Sequence, residues 1–171
     1  IDFANQFVQP GLEFGIQDMR IPLENKQFDL IVNLFTSFGY FDDMAENVQV
    51  LKSVKSMLLP EGTFVMDYLN GEKLIQTIVA EEEKTFPEAH FRINRKVENG
   101  FVIKSIELQT PDFKQYFQEK VRLFSLQELR NMFEQASLKI VNVFGDYSLN
   151  AYKPSTSDRI ILIAKTEHPT L

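Results

Sequence analysis

Residues 28–68, FDLIVNLFTSFGYFDDMAENVQVLKSVKSMLLPEGTFVMDY, decide the architecture of this chain. The segment opens on an almost unbroken apolar run from Phe28 to Phe35, rich in β-branched residues. That is the pattern of a parallel strand covered on both faces. Asp43 stands where a helix needs an N-cap, with Glu46 as its capping-box partner. Val48, Leu51, Val54 and Leu58 then recur at helical spacing. The helix is expected to stop at Leu59-Pro60-Glu61-Gly62, because Pro60 forbids continuation and Gly62 can adopt the helix-ending conformation. Thr63 to Tyr68 reads as a second buried strand. Strand, helix and strand in this order make a βαβ unit, whose crossover is right-handed in about 98% of cases. The segment therefore predicts an α/β fold, a doubly wound and mostly parallel sheet.

Outward from this unit the pattern changes twice. Upstream, Asp2 to Val8 reads as a helix tail with Phe3 and Phe7 on one face, and Pro10-Gly11 breaks it. Leu12 to Ile16 alternates and predicts a short strand ending at Gln17-Asp18-Met19. Downstream, Gly71 to Glu83 predicts a helix with Leu74, Ile75, Ile78 and Val79 on one side. Phe91–Glu98 and Phe101–Gln109 alternate around Asn99-Gly100, a strong hairpin signal, and Gln115–Leu123 alternates again. These runs predict an inserted antiparallel three-stranded element. Ser125 and Glu128 form a second capping box, for a helix burying Leu126, Leu129, Met132 and Phe133. Leu138–Phe144 and Arg159–Thr166 read as strands. The loop between them has no room for a crossover helix, so the last strand runs antiparallel. The expected division is 1–84 for the cofactor-binding α/β core, 85–124 for the antiparallel cover over a substrate, and 125–171 for the closing helix and strands. The tail EHPTL reads as frayed.

Composition excludes several classes. At 171 residues, with 44% hydrophobic and 25% charged, the chain has the balance of one globular domain. No apolar run approaches the ~20 residues of a membrane span. The opening residues IDFANQFVQP lack the basic start and apolar stretch of a secretory signal. The chain has no cysteine, which removes disulfides, thiolate nucleophiles and zinc–thiolate sites and suits a cytoplasmic location. A net charge of -6 without a basic stripe argues against nucleic acid and for a small-molecule partner. The two histidines, His90 and His168, have no metal-ligand partner at useful spacing, so no metal site is expected.

Taken together, the segments QDMRIP, FDLIVNLFTSFGYF, VLKSVKSMLLPEGTFVMDYLN, FSLQELRNMFEQASLKIVNVFGDY and RIILIAKT resemble the class I S-adenosylmethionine-dependent methyltransferases. Their order and spacing carry the resemblance, which covers nearly the whole chain. The inserted strands look like those of the small-molecule branch, where they cover the active site. One departure is large. The glycine-rich turn after the family's first strand, and the acidic residue ending its second, have no counterpart among the seven glycines here, which never form a G-x-G cluster. Against the family pattern the chain is N-terminally incomplete by roughly seventy residues, about two βα units. The strand FDLIVNLF is then expected to have an exposed apolar edge.

The resemblance implies S-adenosylmethionine as cofactor, S-adenosylhomocysteine as product, and direct in-line transfer of a methyl group to a small molecule. Ligands in such sheets bind beyond the carboxyl ends of the strands. There, Asp18 either accepts a hydrogen bond from the adenine amino group or caps a turn. Met19 offers its backbone N–H and apolar side chain to the ring, or fills core. Asn33, Leu34 and Phe35 occupy the position along the methionine part of the cofactor. Ser37 and Tyr40 follow in the Gly39 loop, Tyr40 as a weak catalytic candidate or a packing aromatic. Asp67, Tyr68, Asn70 and the loop residue Tyr147 are substrate-binding candidates, with Asp67 equally suited to capping the next helix. His90 is the second weak catalytic candidate. Arg92, Arg95, Lys96 and Lys104 either attract an anionic substrate or form a solvated strand face. Methyl transfer from a sulfonium needs no metal and no covalent intermediate, so no triad or metal cluster is expected. The competing reading is a non-catalytic methyltransferase-like interaction domain or relic. Monomer and homodimer are both open.

Overall fold

A computed structural model describes residues 1–166; His168 and the tail expected to fray lie outside the described residues. The central prediction holds: β1 (Phe28–Asn33) and β2 (Leu58–Leu69) are parallel, joined by α1 (Met44–Met57). Asp43 caps α1 by accepting the Ala45 N–H at 2.9 Å. Glu46 does not close a capping box; it pairs instead with Arg20. Buried Asn47 donates to the carbonyls of Phe41 and Asp43, both at 2.9 Å, and so fixes the loop that enters the helix.

The end of α1 differs from expectation. Leu58 already starts β2, so residues 58–62 are strand rather than a helix stop. Gly62 is needed for close approach, not for a cap: a Cβ there would lie 2.9 Å from the Phe28 carbonyl oxygen. The backbone of β1 passes too near for any side chain.

The first sheet has the order β1-β2-β8-β7, with β7 (Leu138–Phe144) and β8 (Arg159–Thr166) as expected. β8 is antiparallel to both β2 and β7. α1 and α3 (Leu126–Gln135) supply Leu51, Leu129, Met132 and Phe133 to a core shared with Phe64, Met66 and Leu162 of the strands. The Ser125–Glu128 capping box is present.

Three expectations fail at the edges. Leu12–Ile16 forms no strand, and Ile16 is 83% exposed. β1 has the exposed edge expected for it among the described residues, but its faces are not covered as the apolar run predicts: Leu30 and Val32 are about half exposed. The two misses share a cause: nothing described pairs with the outer side of β1, so the upstream run has no ladder to join. The helix from Gly71 also ends early, α2 being Gly71–Thr77, and the chain then enters β3 (Glu81–Phe86). The second sheet is consequently four-stranded, β3-β4-β5-β6, with β4 Ala89–Glu98, β5 Phe101–Gln109 and β6 Lys114–Arg122. The β4–β5 turn uses Asn99 at φ 52° and Gly100 at φ 79°, the two positive values that a tight hairpin turn requires.

Candidate active site

The carboxyl ends of β1 and β2 meet the second sheet at a cleft with two adjoining chambers. The larger, about 470 Å³, lies among Leu69, Asn70, α2, Glu82, Arg95, Asp158 and Arg159. The smaller, about 200 Å³, is lined by Phe35, Thr36, Tyr40, Leu69, Leu74, Arg95, Val102, Lys104, Glu119 and Val121. Leu69, Leu74 and Arg95 belong to both. Together the chambers fall in the size range of small-molecule sites.

Asp67 organises the inner wall. It is 1% exposed and lies near the end of β2. Its carboxylate accepts the Phe35 N–H at 2.9 Å, the Tyr147 hydroxyl at 3.0 Å and Arg159 Nε at 2.6 Å. Arg159 Nη2 also donates to Thr36 Oγ1 at 2.9 Å. Asp67 therefore binds protein groups, not the next helix, which is capped by Asn70. Asn70 accepts the Glu72 N–H at 3.2 Å, and its amide donates to the carbonyls of Pro154 and Ser157, both at 2.7 Å. Asn70 thereby ties the β7–β8 loop to the cleft wall.

Tyr68 lies outside this cleft. Strand alternation turns it the other way from Asp67, into the core beside Phe38 and Phe124, where its hydroxyl donates to the Arg122 carbonyl. It is fully buried, and burial pushes its hydroxyl well above the ordinary tyrosine value.

Tyr40 does line the smaller chamber, with Glu119 and Lys104, which pair at 3.1 Å. Burial and then the Glu119 charge raise its hydroxyl above the usual value, so it is protonated at neutral pH. It can orient a ligand as donor and acceptor but does not serve as a ready base. His90 sits elsewhere, 3.6 Å from Glu83 in a shallow depression between the turns at 86–90 and 109–111. Arg92 pairs with Glu83 and Lys96 with Glu98 on the solvated face, whereas Arg95 pairs with Glu82 at 2.6 Å inside the cleft.

Upstream of β1, Asp18 makes a turn with Arg20. Its carboxylate accepts the Arg20 N–H at 2.9 Å and the guanidinium at 3.0 Å and 2.6 Å. These bonds lower its carboxyl to about 2. Arg20 in turn stacks over Phe41, 4.6 Å from the ring centre. Met19 packs against the main core. Asn33 donates to the Ser37 carbonyl at 3.1 Å, while its Oδ1 is buried without a partner. Leu34 and Phe35 leave apolar surface open at the end of β1.

Arg159, Thr36 and Glu119 escaped the sequence reading. The partners of Arg159 and Thr36 lie far along the chain, 92 residues away for Arg159 and Asp67. The one sequence signal was an arginine at the start of an otherwise apolar strand. Among the described residues no group of three or more histidine, cysteine, aspartate or glutamate side chains is placed to hold a metal. Nor is any described helix long and apolar enough to cross a membrane.

No protein-family model and no curated protein sequence matches the chain. Solved structures do. A methyltransferase from Clostridium acetobutylicum ATCC 824 matches over 98% of this chain and 69% of its own, at 22% identity and a TM-score of 0.81. The shared fold is that of the S-adenosylmethionine-dependent methyltransferases. CcbJ from Streptomyces caelestis matches over 90% of this chain and 63% of its own, at 15% identity and a TM-score of 0.74. CalS10 from Micromonospora echinaspora, an amino pentose methyltransferase with S-adenosylmethionine bound, matches over 88% of this chain and 63% of its own, at 14% identity and a TM-score of 0.63. The chain thus spans about two thirds of the length of the structures it resembles.

Proposed function

We propose that this chain carries the acceptor-side half of the active site of an S-adenosylmethionine-dependent methyltransferase acting on a small polar molecule. The observation that carries the reading is the two-chambered cleft at the carboxyl ends of β1 and β2, roofed by the second sheet of a methyltransferase fold.

The residues present fit the methionine end of the cofactor. The buried Asn33 Oδ1 is an acceptor without a donor, and Leu34 and Phe35 offer apolar surface beside it. Asp18, ionised at neutral pH, would accept an adenine amino group by exchanging one of its Arg20 bonds for it, with Met19 alongside. When bound, S-adenosylmethionine supplies a methyl group on a sulfonium, open to in-line displacement. The chain's own part is positioning and exclusion of water. Tyr40 and Glu119 face the smaller chamber and orient the acceptor's nucleophile. Arg95 and Lys73 line the larger chamber and hold the remainder, while Asn70 fixes its wall. An acceptor of amino-sugar size, the kind CalS10 uses, suits these volumes.

A second reading, a non-catalytic interaction domain, draws on one observation: Arg20 already occupies the Asp18 carboxylate. Calorimetric titration of S-adenosylhomocysteine into the full-length protein, with Asp18→Ala alongside, separates the two. The expected result is a dissociation constant on the order of micromolar, weakened by the substitution. Absence of binding by a cooperatively folded protein would leave the second reading.

A further inference from the structure

We propose that Arg159 is a positioning residue for the methyl donor, acting through the turn Phe35–Thr36 without touching the donor. The inference rests on the cofactor reading above and assigns a role to a residue that reading leaves unused.

The turn is strained. Phe35 has φ 56° and Thr36 φ 62°, two successive non-glycine residues in the left-handed region. L-residues avoid that region, and such pairs persist only where the surroundings hold them. Packing does not hold Phe35, which is 77% exposed. Hydrogen bonds do. The Phe35 N–H donates to Asp67 Oδ2 at 2.9 Å, and the Thr36 N–H donates to the Asp67 carbonyl at 3.0 Å. Both amides of the turn are thus held by one residue of the neighbouring strand.

Arg159 fixes that residue and the turn at once. Its Nε donates to Asp67 Oδ1 at 2.6 Å, and its Nη2 donates to Thr36 Oγ1 at 2.9 Å. The planar guanidinium sets the two bonds at a fixed spacing, which the single flexible ammonium of a lysine does not reproduce. Its own backbone is locked, since Arg159 pairs with Leu69 in the β2–β8 ladder. For stability alone, apolar residues would serve a buried ion pair's place at least as well. The second arm, to Thr36, is what a positioning role requires. Phe35 and Thr36 both line the smaller chamber, at the strand end assigned to the donor's methionine portion. Releasing the turn would displace that floor.

The test uses the full-length protein. S-adenosylhomocysteine affinity is measured by calorimetry for the wild type, Arg159→Lys and Arg159→Ala, with amide hydrogen exchange at Phe35 and Thr36 and thermal melts beside it. Arg159→Lys keeps the charge opposite Asp67 and so keeps the fold. The expected result is affinity lowered about tenfold in both variants, the scale of a lost hydrogen bond to a charged group. Exchange should speed at Phe35 and Thr36 ahead of the rest of β1. Ethylguanidinium should restore affinity to Arg159→Ala, and ethylammonium should not. Wild-type affinity in Arg159→Lys, or losses that follow melting temperature with no guanidinium rescue, would overturn the proposal. A wild type that binds no S-adenosylhomocysteine would remove the cofactor reading and this inference together, and is told apart because no variant is involved.

Discussion

Replacing Gly39 with alanine tests how the cleft loop is seated. Gly39 has φ +85°, and a Cβ added there would lie 2.6 Å from the Tyr68 hydroxyl oxygen and 3.4 Å from Phe124 Cε2. Two costs follow. The left-handed backbone costs alanine about 1–2 kcal/mol. The clash also displaces the Tyr68 hydroxyl from its bond to the Arg122 carbonyl, and loss of a buried hydrogen bond costs about 1–3 kcal/mol. Gly39→Ala should therefore lower the unfolding free energy by roughly 2–5 kcal/mol in urea titration, with an unchanged m-value. The two parts separate in a double-mutant cycle. Tyr68→Phe removes the hydroxyl the new methyl would strike, so in that background Gly39→Ala should cost only the backbone share, about 1–2 kcal/mol. Strict additivity of the two substitutions would refute the reasoning. So would a single-mutant cost below about 1 kcal/mol, smaller than the backbone share alone.

Three further outcomes are expected. Ser125→Ala removes the α3 cap and should cost about 1 kcal/mol by denaturant unfolding, whereas Ser125→Asp should retain most of it; equal losses in both would show the cap to be idle. Leu51→Ala, at a fully buried position, should cost about 2–5 kcal/mol, and a cost under 1 would mean that α1 is not packed as described. Asp18, held down to about 2 chiefly by the Arg20 side chain, titrates near 3.9 when unfolded, so its contribution is present above about pH 4 and lost as pH falls toward 2. Melting curves of the wild type and Asp18→Asn should converge over that window; a gap independent of pH would refute the pairing.

Much of the fold was legible because local pattern and tertiary role coincide in these segments. β5, β7 and β8 are found at their predicted bounds, since each carries an apolar face bounded by clear turn residues. β3 was misread because Glu81–Phe86, EEEKTF, carries a single apolar residue at its end; its strand exists through its ladder to β4 and through ion pairs such as Glu82 with Arg95. Gly62 was read as a helix stop because a glycine after a proline carries the same local signal in either role, and only the Phe28 carbonyl distinguishes them. Leu12–Ile16 alternates correctly and still forms no strand, because alternation needs a partner that no local rule supplies. At the site, the strand-end rule found Asp67 and Asn70, whose places follow from topology. It also caught Tyr68, since the rule does not resolve which face a residue takes without the register. Arg159 and Thr36 gain meaning only from a contact across the sheet.

The second sheet is moored at one end. Its bonds to the Gly39–Asp42 loop and to Tyr68 come from Lys120 and Arg122, at the close of β6. The turns at 86–89 and 110–113 lie at the opposite end, with Thr110 and Phe113 bonded, among the described residues, within their own turn. Substitutions and insertions there leave the main core as it is. The free end can thus vary in length and sequence without moving the chamber wall, because Val102, Lys104, Glu119 and Val121 all sit on the moored half of the sheet.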